Sequence, residues 1–133
     1  MYDIYMINLF LDLDPSPKRR PRFRRHGAKV FTHSDPKDIA FKKDVIRLAT
    51  PQIDYPLAGP LRCEIVLYIK RPKSVKSKYP TGKRTGDVDN HAKAVLDALN
   101  SYAYVDDSQI VSLMVSKYYR DVSGIEVRLY GLN

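Results

Sequence analysis

The residues that could do chemistry are acidic and closely spaced. Asp87 and Asp89 are separated by one residue, Lys93 follows Asp89 by four, and a second acidic pair, Asp106–Asp107, lies downstream. Residues four apart on a helix share a face, so Asp89 and Lys93 are neighbours if this segment is helical. Three carboxylates brought together repel, and at least one must hold on to its proton unless a cation sits among them. Magnesium suits such a site because it prefers hard oxygen ligands and keeps several waters. Metal-dependent phosphodiester hydrolysis is the chemistry implied, with the metal activating water and Lys93 stabilising charge on the phosphate.

Each residue also has a plainer reading. Asp87 suits a helix N-cap and Asp89 suits the positive end of a helix dipole. Asp89 with Lys93 makes an ordinary surface pair worth about 0.3–0.5 kcal/mol. Asp106–Asp107 suits a turn, and Asp97 reads as a solvated helix residue. The residues taken alone leave both accounts open. His91 lies two positions from Asp89 and from Lys93, so it faces elsewhere on a helix and reads as structural or DNA-facing.

Residues 88–100 form the clearest helix, with Val88, Ala92, Val95, Leu96 and Leu99 on one face and Asp87 as its natural cap. Such a helix spans about 20 Å, and the link 101–105 covers about 17 Å when extended. That reach permits Asp107 to return to Asp87 without requiring it. Residues 61–70 alternate cleanly, with Leu61, Cys63, Ile65, Leu67 and Ile69 pointing one way, and read as a strand. Residues 2–13 read as a strand with two apolar faces. An earlier helix begins at Ser34 or Asp35, carries the stripe Ile39, Val45, Ile46 and Ala49, and ends at Pro51. Residues 109–119 and 124–130 read as two strands joined by a turn at 120–124, as an antiparallel hairpin. The expectation is a single compact α+β domain over residues 1–133, a mixed β-sheet packed with two main helices in the order β-α-β-α-β-β.

The charge is unevenly placed. The 133-residue chain has net charge +8. Lys18, Arg19, Arg20, Arg22, Arg24, Arg25 and Lys29 fall within residues 15–34, and Lys70, Arg71, Lys73, Lys76, Lys78, Lys83 and Arg84 within 70–86, neither stretch holding an acid. The rest of the chain is acidic on balance. Two Pro- and Gly-containing basic loops are the electrostatic footprint expected for a nucleic acid. The longest uncharged apolar run is too short for a bilayer, and Asp3 stands where a signal peptide needs basic residues, so neither a membrane span nor an exported chain is expected. A lone Cys63 excludes an intrachain disulfide. The expected setting is cytoplasmic and reducing.

Several segments together resemble the RusA family of Holliday junction resolvases, in its phage and prophage branch. These are PKRRPRF (17–23), GPLRCEIVLYIKRPKS (59–74), GDVDNHAKAVLDALN (86–100) and VDDSQI (105–110), in the family's order and with flanking strands over nearly the whole chain. The resemblance implies a homodimeric, magnesium-dependent endonuclease, with manganese as an alternative ion, that resolves four-way junction DNA by paired symmetric nicks. It places the metal ligands on Asp87, Asp89 and Asp107, and the catalytic set on these with Lys93. Lys18, Arg19, Arg20, Arg22, Arg24, Arg25, Lys73, Lys76, Lys83 and Arg84 are the expected DNA-binding residues. The competing functions are a less selective branched-DNA nuclease and a non-catalytic DNA-binding module. His91 departs from the apolar residue of many relatives and leaves the acidic positions unaltered.

Overall fold

A computed structural model of the chain describes residues 6–132. Its core follows from the alternation of β4 (Leu61–Lys70), whose Leu61, Cys63, Ile65 and Leu67 are fully buried while the intervening side chains face outward. β6 (Gly124–Gly131) alternates in the same way through Ile125, Val127 and Leu129. The four-stranded sheet runs β1 (Met6–Leu11), β6, β4, β5 (Ile110–Arg120). β6 is antiparallel to both neighbours, and β5 is parallel to β4. Helices α1 (Pro36–Ala49) and α2 (Val88–Leu99) pack against each other and on the apolar face of the sheet, where Phe41, Val45, Val95 and Leu99 join its buried strands in one core. The mixed sheet with two main helices is therefore as expected.

The differences are local and have physical reasons. The first expected strand is realised only at Met6–Leu11, and its residues 2–5 lie outside the described residues. β1 is an edge strand with one covered face, so Met6 and Phe10 are exposed. The first basic block is not all loop. It contains a separate hairpin, β2 (Arg22–His26) and β3 (Lys29–His33), closed by a two-residue turn in which Gly27 adopts φ +65°. In α1 the cap is Asp35, which accepts from the Lys37 amide at 2.8 Å, and Phe41 is buried while Ile39 is exposed.

β5 and β6 do not pair. The link 121–123 steps over the end of β4, and β6 inserts between β4 and β1. The reason lies in their side chains. Ile125, Val127 and Leu129 are buried and suit a central strand, whereas Val111, Leu113 and Met114 of β5 are exposed at the edge. Cys63 is buried in the core, which pushes its thiol up to about 12 and leaves it inert.

Candidate active site

Asp87 occupies the N-cap position of α2, yet its carboxylate accepts no capping bond. The plain capping account therefore does not apply. Asp89, in the first turn, and Lys93, one turn on, are exposed beside it, and no ion pair joins them among the described residues. Among the described residues Asp87, Asp89 and Lys93 make no ion pair at all, and the three lie in the first half of one helix and its cap.

The turn that delivers Asp87 is held from three sides. The His91 imidazole is buried and its Nε2 lies 2.6 Å from the Thr85 carbonyl, which can only accept, so Nε2 carries the proton. Burial lowers the pKa of His91, against the opposing pull of the Thr85 bond and with help from the Lys117 charge, so the ring is neutral near pH 7. Lys117 of β5 donates to the Gly86 carbonyl at 2.7 Å and to Thr85 Oγ1 at 3.1 Å. Gly86 has φ +80°, and a Cβ there would lie 2.7 Å from His91 Nε2 and 2.9 Å from Pro17 Cγ. Only glycine fits this position.

Pro17 and its neighbours bring the first basic block to the same place. The Lys18 amide donates to the Asn90 carbonyl at 2.9 Å. Lys18, Arg19, Arg20, Pro21, Asn90 and Lys93 line a groove of about 420 Å³. Within the block the cations divide. Arg19 grips Asp38 through its backbone amide at 3.0 Å and its guanidinium at 3.2 Å, and Arg22 pairs with Asp35 at 3.3 Å. Lys18 reaches Asp97 at 3.5 Å, so Asp97 has a partner that sequence reasoning did not give it. Arg20, Arg24 and Arg25 are exposed and make no ion pair among the described residues. Lys83 and Arg84 lie on a short 3-10 turn just before Asp87, and Lys73 and Lys76 are exposed on the preceding loop.

The second acidic pair lies elsewhere. Asp106 caps the turn Asp107–Gln109 by accepting from the Ser108 amide, and bonds from the Ser108 hydroxyl and amide hold its carboxyl below the usual range. Asp107 is exposed, and its backbone amide donates to Asn100 Oδ1 at 3.1 Å, at the C-terminal end of α2. The link does not extend, because the Tyr102 and Ala103 amides turn back to the Leu99 carbonyl. Twelve helical residues separate the two acidic sites, a distance of about 18 Å. No group of three His, Cys, Asp or Glu side chains that could hold a metal exists among the described residues. The return of Asp107 to Asp87, which chain length permitted, does not occur within this chain.

Lys117 and the glycine cradle were missed in the sequence. Gly86 opens a quoted motif, but Lys117 lies thirty-one residues from it and only the pairing of β5 beside β4 brings it there.

Residues 12–130 match the family model described as endodeoxyribonuclease RusA. The chain belongs to the RusA family. It is also 34% identical over 129 residues to the uncharacterized protein YqaN of Bacillus subtilis (strain 168), covering 87% of this chain and 89% of that protein. Family membership implies an endonuclease that resolves Holliday junctions, with branched DNA as its substrate. Among the described residues no helix is long and apolar enough to cross a membrane.

Proposed function

We propose that this RusA-family chain is a magnesium-dependent, homodimeric resolvase that nicks opposed strands of a four-way junction. The observation that carries the reading is the set Asp87, Asp89 and Lys93, which make no ion pair among the described residues, with Lys93 lining a groove together with Lys18 and Arg20. The donor set fits a hard cation: two exposed carboxylates with no competing cap bond, where magnesium needs only one or two besides phosphate and water. When bound, the ion polarises the scissile phosphate and makes water nucleophilic. Asp87 and Asp89 would hold the ion. Lys93 offsets charge that builds on a non-bridging phosphate oxygen. Lys18 and Arg20 fix the phosphate backbone, and Lys83 and Arg84 extend the cationic surface upstream of Asp87.

The third acid comes from a second copy. Among the described residues β5 has one edge without a partner strand, and Val111, Leu113 and Met114 of β5 are exposed. Antiparallel pairing of two such edges about a two-fold axis would set the start of one β5 beside the end of the other. Asp107 precedes that start, and Lys117, which holds the turn into Asp87, lies near that end. Asp107 of the partner subunit then faces Asp87 and Asp89. Two such composite sites match the two equivalent strands of a junction.

The test is cleavage of a synthetic four-way junction and a linear duplex of the same sequence, in magnesium and in EDTA. Symmetric, magnesium-dependent nicks confined to the junction are expected. Cutting of both substrates would favour the less selective nuclease, and binding without cutting the non-catalytic module.

A further inference from the structure

The β2–β3 hairpin is an arm without a packing role in the core. All ten of its strand residues are exposed, and it forms a two-stranded sheet of its own. An isolated hairpin of this size is marginal in water, so its root needs fastening. The Arg22–Asp35 ion pair provides it, with Arg19–Asp38 just before.

The register assigns its two faces. Arg24 lies opposite Phe31, Arg22 opposite His33 and His26 opposite Lys29, so these six side chains share one face. Phe23, Arg25, Val30 and Thr32 share the other. The first face therefore places one exposed aromatic ring, Phe31, among cationic and imidazole side chains, with no acid in the whole block. A ring held in water with cations around it is the arrangement that binds a nucleobase, the ring stacking while the cations hold flanking phosphates. A two-stranded ribbon also fits a DNA groove.

We infer that the β2–β3 arm is a branch-point reader, in which Phe31 stacks on a nucleobase at the junction crossover and Arg24 and Lys29 grip the phosphates beside it. The inference rests on the reading of the protein as a junction-binding nuclease. The crossover is favoured over continuous duplex because its base stack is already interrupted, so opening it costs least there.

Phe23 on the opposite face provides an internal control of the same residue type. The test measures affinity of the full chain for a four-way junction and a matched duplex in EDTA, with thermal melting of each variant to check folding. Phe31→Ala is expected to lose about tenfold in junction affinity with little change on duplex. Phe23→Ala is expected to bind both as the unaltered protein does. Unchanged junction binding by Phe31→Ala, or an equal loss from Phe23→Ala, would overturn the branch-point assignment while leaving the nuclease reading intact. Failure of the unaltered protein to bind either DNA would overturn both.

Discussion

Lys117 Nζ donates to the Gly86 carbonyl at 2.7 Å and so ties the edge strand β5 to the turn that presents Asp87. Lys117→Met removes this bond and the one to Thr85 while keeping an unbranched side chain one atom shorter. A loss of about 1–2 kcal/mol in stability is expected, since bonds from a charged donor are worth somewhat more than neutral ones. Junction cleavage should fall more than junction affinity, because the turn would hold Asp87 less firmly. Single-turnover cleavage set beside binding in EDTA separates the two.

Gly86→Ala forces a Cβ into a backbone conformation reserved for glycine and against the His91 ring and Pro17. A destabilisation of about 1–3 kcal/mol is expected from backbone strain alone. Denaturant unfolding checks it, and a neutral result would mean that the turn is free to relax.

Asp87→Asn and Asp107→Asn should each abolish cleavage while retaining junction binding. Mixing and refolding the two inactive proteins distinguishes a composite site from one confined to a single chain. In a composite dimer the mixed species regains one intact site, so roughly a quarter of normal nicking should return, as single nicks. A site confined to one chain predicts no recovery.

The carboxyl of Asp35 is held below its usual range by the Lys37 amide bond, aided by the Arg22 and Arg19 charges and opposed by burial. Its folded-state pKa lies below its unfolded value, so its stabilising effect is complete above the unfolded value of 3.8. That effect is lost as pH falls through the lower folded value. Asp35→Asn should therefore flatten the acid limb of a stability–pH curve and leave the neutral region parallel to that of the unaltered protein.

Arg20→Ala and Arg24→Ala remove cations that have no protein partner among the described residues. If each meets one phosphate, the slope of log affinity against log salt should become shallower by about 0.9 per substitution. Arg19→Ala should instead act mainly on stability, because its guanidinium already grips Asp38.

The elements that announce themselves by periodicity were legible in the sequence. The alternation Leu61–Cys63–Ile65–Leu67 and the helical face of Ala92, Val95 and Leu99 correspond to β4 and α2 as folded. The β2–β3 hairpin was not legible, because neither of its faces is buried and alternation has nothing to report. The placement of β6 was hidden for another reason: adjacent strands usually pair, and only the competing burial of Ile125, Val127 and Leu129 moves it to the centre. In the candidate site, Asp87, Asp89 and Lys93 were brought together by helix spacing alone. The position of Asp107 depended on a five-residue link that turns back at Leu99 instead of extending, and sequence spacing does not decide between the two.

β6 comes last in sequence among the described strands and is also a central one, bonded to β1 on one side and to β4 on the other. Among the described strands β1 precedes all the others in sequence, yet it bonds only to β6, so it has no described partner until residues beyond 123 are made. The sheet therefore closes only once β6 has been made, and a chain stopped before Gly124 leaves β1 and one edge of β4 with unpaired backbone. Such truncated chains are expected to aggregate and to be degraded rather than to accumulate as inactive competitors for DNA.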